Sequence, residues 1–158
     1  MDRYYFRSPV GIVECLLEES SGKILSCNPC KTADNSLIKY AIESHPKLAD
    51  AFRCISPAPP QYTLDLLAPS WAPHFWLTLS QIPYGATLSY SELASRLGLS
   101  SGFARVTGSQ LGRNKHFLLL PCHRVIKSDH TLGGYKWGTQ LKRKILDYEQ
   151  NGQANRYE

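Results

Sequence analysis

Five prolines crowd into residues 55–73: Pro57, Pro59, Pro60, Pro69 and Pro73. Each fixes its own φ and supplies no backbone N–H, so neither a helix interior nor a central strand can run through them. The stretch reads as a linker. It divides the chain into an N-terminal region with its linker, residues 1–68, and a C-terminal region, residues 69–158. A chain of 158 residues makes one domain or two small ones and is long enough to bury a real core. The charge divides at nearly the same place. Residues 1–70 hold seven Lys/Arg against eight Asp/Glu, whereas residues 71–158 hold eleven against five. The net charge of +5 therefore comes from the second region. Such asymmetry suggests a polyanion partner, nucleic acid above all; a solubilising surface is the other reading of the same charges.

The first region is strand-rich. Tyr4, Phe6, Val10, Ile12, Val13 and Leu16 favour strands, and Ser8-Pro9-Val10-Gly11 marks a hairpin turn between them. A second turn at Ser21-Gly22 leads to a short strand near Ile24. A helix is expected over residues 35–45, with Leu37, Ile38, Ala41 and Ile42 as its apolar stripe and Pro46 as its end. Cys27-Asn28-Pro29-Cys30 is half of a zinc or redox site. The remaining candidates (Cys15, His45 and Cys54) have no ligand spacing, so an inert pair in a loop is the better reading and no metal is expected.

The second region reads as mostly helical. Trp71, Phe75, Leu79 and Ile82 form one stripe on a helix over residues 71–81. Ser89-x-x-Glu92 is a capping box, Leu93, Ala94 and Leu97 give that helix a buried face, and Gly98 ends it. A second helix follows over residues 102–113. Helix, glycine-bearing turn, helix is the helix-turn-helix pattern, although a plain helical hairpin has the same signature. Small residues at Ala104, Thr107 and Gly108 would let the second helix approach a groove closely. Beyond it, the apolar run Phe117-Leu118-Leu119-Leu120 reads as a short buried strand ended by Pro121. Cys122 stands at its edge beside His123 and Arg124. A base and a positive field are what a thiolate nucleophile needs. A buried, inert cysteine is the alternative.

The full string Pro121-Cys122-His123-Arg124-Val125 resembles the acceptor motif of the 6-O-alkylguanine-DNA alkyltransferases, the methylated-DNA–protein-cysteine methyltransferases. The resemblance runs in order through Ile82-Pro83-Tyr84-Gly85, Ser89-Tyr90-Ser91-Glu92-Leu93-Ala94, Ala104-Arg105-Val106, Asn114, Gly134-Tyr135 and a helix ending at Glu149. It covers about residues 71–150. It implies an α+β fold: a small strand-rich N-terminal domain, then a mostly helical, winged-helix-like domain carrying the helix-turn-helix.

The resemblance also implies a chemistry. Cys122 would take a methyl or small alkyl group from 6-O-alkylguanine, and from 4-O-alkylthymine, once per molecule and irreversibly. His123 would take the thiol proton through water, Glu149 would orient His123, and Asn114 would fix the active-site turn. Tyr90 would crowd the target phosphate and donate to the departing guanine. Arg105, flanked by Ala104, would replace the extruded nucleotide from the minor groove of double-stranded DNA, with Arg124 a further DNA contact. Tyr135 would wall the base pocket. Trp137 stands where some relatives have glycine and would narrow that pocket against benzyl-sized groups. Lys115 stands where the family usually has proline. No cofactor is implied.

Three rivals remain in view: a damage sensor without transfer, a helix-turn-helix regulator, and a cysteine hydrolase. Cys122 argues against the first, the short N-terminal half against the second, and the stability of a thioether against the third. Apolar and charged fractions of 42% and 20% are those of a globular protein. No apolar run reaches the roughly 18 residues of a membrane span, and residues 1–6 lack the apolar core of a signal peptide. Five cysteines, an odd and sparse set, suit free thiols in a reducing compartment. These features together give a cytoplasmic location, nucleoid-associated if bacterial, as the expectation; a monomer is expected because reading a single lesion needs no dimer symmetry.

Overall fold

The computed structural model describes residues 1–156, with side chains through residue 151. It is an α+β protein of two compact units. The first unit holds residues Met1–Leu66 together with Lys115–Leu119, and the second holds Leu67–Asn114 and everything from Leu120 onward.

In the first unit, strands β1 (Asp2–Ser8), β2 (Gly11–Glu18) and β3 (Lys23–Cys30) form an antiparallel meander. Alternation sets the buried face: Tyr4 and Phe6 on β1, and Val13, Cys15 and Leu17 on β2. On β3 the buried residues are Ile24 and Cys27, which strict alternation would put on opposite faces. The register shifts opposite Leu16 and Leu17, and the extra residue carries Cys27 onto the core face. The Cys-x-x-Cys pair therefore lies in a strand, not in a loop. Residues 63–64 form a short strand, β4 (Thr63–Leu64), parallel to the start of β3.

Helices α1 (Asn35–Ser44) and α2 (Pro46–Cys54) cover the buried face. The Asp34 side chain caps α1 by accepting from Ser36 N. Of the expected stripe on α1, Ile38 and Ala41 are buried, but Leu37 and Ile42 are 48% and 45% exposed. Pro46 ends α1 as expected, and it also opens α2 as its first residue, where the missing N–H is no loss. Sequence reading missed α2. Its Leu48, Ala51 and Phe52 are buried, with Phe52 stacked 5.1 Å from Phe6.

In the second unit, helix α3 (Phe75–Ser80) starts later than the stripe suggests, because a residue before proline is steered away from helical φ/ψ and Pro73 intervenes. Trp71 is only half-buried and meets Phe75 edge-on. Strand β5 (Leu88–Ser89) leads into α4 (Tyr90–Arg96), which carries the capping box as expected. Ser89 Oγ accepts from Glu92 N at 3.0 Å, and Ser89 N donates to the Glu92 carboxylate at 3.3 Å. Gly98 turns the chain with φ 79°, a 3-10 turn follows at Ser101–Phe103, and α5 spans Ala104–Leu111. Strand β6 (Val125–Ile126) pairs with β5, and the long helix α6 (Thr139–Arg156) passes through Glu149 rather than ending there.

The run Phe117–Leu120 is fully buried but is not a strand. Only His116 makes a bridge, to Cys27, after which the chain turns with Leu118 at φ 68°. Burial was right and conformation wrong, because the left-handed backbone at Leu118 breaks the extended run that a strand requires. No helix among the described residues is long and apolar enough to cross a membrane.

Candidate active site

Pro121 is followed by a single 3-10 turn, Cys122–Arg124, all three residues of which are buried. The turn ends in β6, which fixes its direction by pairing with β5. Cys122 sits on the floor of a cavity of about 280 Å³ whose lining includes Tyr90, Gly108, Gly134, Tyr135 and Lys136. The Asn114 side-chain amide donates to Cys122 Sγ at 3.0 Å and to Leu120 O at 3.4 Å. Asn114 thus holds both the sulfur and the turn that presents it. Burial raises the thiol to about 11, even though the Asn114 amide and the charges of Lys142 and Lys136 pull it down. The resting nucleophile is therefore a protonated thiol, and it needs a base.

That base is next in sequence. His123 is fully buried, and burial lowers its pKa, so it is neutral. Its Nε2 lies 2.8 Å from Glu149 Oε1. A carboxylate can only accept, so the proton is assigned to Nε2 and Nδ1 carries the lone pair. Nδ1 is buried and has no hydrogen-bond partner among the described residues. A neutral imidazole with a free lone pair is the form a general base requires.

Glu149 is the hub of this network. Besides His123, it accepts from Arg124 Nε at 3.1 Å to each oxygen, from Arg124 Nη2 at 2.8 Å and from Gly85 N at 3.4 Å. Burial alone would raise this carboxyl, but hydrogen bonds from His123 and Arg124 outweigh it and hold it at about 2. Arg124 Nη1 also donates to Ile82 O at 2.8 Å, and the guanidinium lies over the Tyr84 ring. The Ile82–Gly85 stretch that resembles the family is thus the cradle of the Arg124–Glu149 pair. Arg124 was expected at the DNA surface. Instead it is 5% exposed and spent on this pair, because an internal carboxylate needs a counter-charge.

Tyr90 is the first residue of α4 and half-buried. Its hydroxyl donates to Gly134 O at 3.4 Å, and burial, then the nearby Cys122, raises its pKa. It is held between two glycines. A Cβ at Gly133, where φ is 73°, would fall 2.7 Å from the Tyr90 hydroxyl oxygen; one at Gly108 would fall 3.5 Å from the ring. Tyr135 lines the cavity, and burial raises its pKa well above the ordinary phenol value. Trp137 does not line the cavity directly. Its ring meets Tyr135 at 5.4 Å and lies 5.2 Å from Lys136 Nζ, so it acts on the cavity through those neighbours. Arg105 is exposed on α5, with Ala104 half-buried beside it and with Phe103 and Val106 exposed at 39% and 43%.

Sequence reading did not single out Lys142. Its side chain is fully buried and donates to Val125 O, Leu132 O and Gly134 O at 2.6, 2.6 and 3.0 Å. Burial lowers it to about 8. It ties α6 to the strand and to the loop on either side of the cavity. Its place two turns before Glu149, on the same face, was the available signal. Outside the site, the Cys27 and Cys15 sulfurs touch at 3.1 Å, while Cys30 donates to Thr32 O, so the Cys-x-x-Cys sulfurs do not converge. No group of three or more His, Cys, Asp or Glu suited to a metal occurs among the described residues.

Residues 70–151 match the family model described as 6-O-methylguanine DNA methyltransferase, DNA binding domain. A methylated-DNA–protein-cysteine methyltransferase of Candida glabrata is 46% identical over 74 residues, covering 47% of this chain and 35% of the relative. The bifunctional transcriptional activator/DNA repair enzyme Ada of Escherichia coli is 30% identical over 141 residues, covering 88% of this chain and 40% of the relative. The chain thus spans less than half the length of these two curated relatives. The crystal structure of Mycobacterium tuberculosis OGT in complex with DNA matches with a TM-score of 0.71 at 26% identity, covering 94% of this chain and 93% of that one.

Proposed function

This chain belongs to the 6-O-methylguanine DNA methyltransferase family, and we propose that it repairs DNA by moving a methyl or small alkyl group from 6-O-alkylguanine to its own Cys122. The observation that carries this reading is the Cys122 sulfur, gripped by the Asn114 amide at 3.0 Å on the floor of a cavity, with a neutral His123 and a charged Glu149 behind it.

The roles follow from the chemistry of each group. The thiol proton passes to His123 Nδ1 through a water, and Glu149 holds the imidazolium that results. The sulfur attacks the alkyl carbon; the S–C bond forms as the C–O bond to guanine breaks, and the electron pair leaves with the purine. Tyr90 gives that purine a proton and regains one from the His123 side. The product is a thioether, which no group in the cavity can reverse, so each molecule acts once.

A base inside a duplex is out of reach of a floor-mounted thiol, so the target nucleotide is extruded. Arg105, exposed on α5, suits the vacated place in the stack because its planar, permanently charged group can both stack and hydrogen-bond. The partner is double-stranded DNA approached through the minor groove, and a monomer suffices for one lesion. The same reading extends to 4-O-alkylthymine and to a cytoplasmic, nucleoid-associated location in a bacterial host.

The test is a duplex with one 6-O-methylguanine, followed by intact and peptide masses. One methyl per molecule on Cys122, and none on a Cys122→Ser variant, is the expected result. Tight lesion binding without mass gain would make the protein a sensor instead. A second duplex carrying a benzyl adduct is expected to react much more slowly than the methyl one; equal rates would remove the size restriction ascribed to Trp137.

A further inference from the structure

Lys136 has no part in the roles above, yet it lines the cavity that Cys122 floors. Its Nζ donates to the backbone carbonyl of Asn114 at 2.7 Å and lies 5.2 Å from the centre of the Trp137 ring. The first contact fixes the residue whose side chain grips the acceptor sulfur. The second holds the ammonium by a cation–π interaction, so its position does not rest on a single hydrogen bond.

We propose that Lys136 is a positioning residue for the acceptor thiol: it ties down the Asn114 carbonyl, and with it the amide on Cys122 Sγ, and it stands a positive charge on the cavity wall where the thiolate forms. Trp137 then serves the reaction mainly by holding that ammonium in place. The inference rests on the repair reading for its purpose, but not for its test.

The charges around the thiol make the case specific. On its own turn are His123, which is neutral, and Arg124, which is spent on Glu149. From α6 come Glu149, neutralised by Arg124, and Lys142, which faces three carbonyls. From α4 comes the Tyr90 phenol, and from the loop before α6 come Tyr135 and Lys136. Lys142 and Lys136 are the cations whose charge acts on the sulfur among the described residues, and each donates to backbone carbonyls. Both lower the Cys122 thiol, which burial raises. Lys142 is also structural, because removing it would strand the buried Val125 carbonyl and release two more carbonyls; Lys136 is exposed and gives up one carbonyl contact, to Asn114 O, when it is changed.

The experiment follows carbamidomethylation of Cys122 by iodoacetamide, read on the Cys122 peptide, across about pH 7 to 11 without DNA. Lys136→Met should lower the thiolate fraction and so slow the reaction by roughly 5- to 10-fold throughout the range below the thiol's midpoint, pH 7.5 included. Lys136→Arg, which keeps the charge, should recover most of the rate. Lys144→Met, which removes a like charge from an exposed turn of α6, should leave the profile in place. Lys136→Gln serves as a second neutral variant should the methionine disturb folding. Superimposable profiles for wild type and both neutral variants would overturn the inference, and so would an equal shift from Lys144→Met. Failure of the wild type to gain a methyl from lesion DNA would defeat the repair reading while leaving these profiles to decide the role of Lys136.

Discussion

Cys27 and Cys122 are hidden from solvent to nearly the same degree, 0% and 5% exposed, but their surroundings differ in kind. Cys27 faces another thiol, Cys15, across a strand pair, with Sγ atoms 3.1 Å apart. Burial raises its pKa well above the ordinary value, and the Cys15 partner raises it further. Every influence on it disfavours the thiolate. Cys122 meets the same burial, but an amide donor and two lysines oppose it. A cavity opens onto it and a neutral imidazole follows it in sequence. Burial of a thiol is therefore not what separates a core residue from an acceptor; the separation lies in what the neighbours do for the negative charge.

The largest expected effect comes from removing the hub. Glu149→Gln leaves Arg124 buried without its counter-charge and His123 without its orienter. Breaking such a pair from one side costs about 3–5 kcal/mol, to be read as a lowered denaturation midpoint. Methyl transfer should fall by about 100-fold or more through loss of the oriented base. The same node sets an acid limit. Glu149 is held near 2 in the folded state, below the roughly 4.3 of a free glutamate. Its contribution is thus complete above that value and is lost as the pH falls toward 2. His123, kept neutral by burial, acts in the same direction below about pH 6.5, because the unfolded chain then binds the extra proton. Wild-type stability should accordingly fall on acidification, and the variant should show a shallower slope; equal slopes would remove Glu149 from this role.

Next in size is the amide that separates the two thiols most directly. Asn114→Leu keeps a similar volume and deletes the donor to Sγ, making Cys122 more like Cys27. Transfer near neutral pH should drop by roughly 10-fold, the equivalent of one pKa unit, and the iodoacetamide profile should move to higher pH. A rate that falls with an unmoved profile would mean that Asn114 shapes the turn without touching thiol ionisation.

Gly133→Ala addresses the other wall. Its Cβ would fall 2.7 Å from the Tyr90 hydroxyl oxygen, and a residue other than glycine at that positive φ is strained by about 1 kcal/mol. Tyr90 must move, so transfer should slow by several-fold while the thiol's iodoacetamide profile stays put. A shifted profile would show that Tyr90 acts on the sulfur rather than on the departing base.

These residues differ in how far the sequence announces them. The acceptor turn and the capping box at Ser89 are local patterns, and local patterns survive folding. Glu149 was singled out by the family resemblance, and its carboxylate lies 2.8 Å from His123 Nε2. Arg124 was misjudged for a physical reason: a sequence gives an arginine's charge but not the buried carboxylate that will consume it. Lys142 was missed for the converse reason, since its partners are backbone carbonyls, which carry no sequence signature. The bulge that turns Cys27 inward, the second helix begun by Pro46 and the left-handed turn at Leu118 all depend on contacts from elsewhere in the fold.

The smallest expected effect is the sharpest test of the contrast. Cys15→Val removes the partner of the inert thiol, at a fully buried site. The substitution is close to volume-conserving, so its cost should stay below about 1.5 kcal/mol. Valine also suits the middle of β2 between Val13 and Leu17. Cys15 belongs to the first unit and the Cys122 network to the second, so methyl transfer and the Cys122 iodoacetamide profile should match the wild type. Cys27 should remain unreactive in the same experiment, because burial is the first cause of its raised pKa and the mutation leaves burial in place. If Cys27 instead became reactive once its neighbour was gone, the thiol–thiol contact, and not burial, would be what silences it. The two cysteines would then differ by one repressive partner rather than by the donors gathered around Cys122.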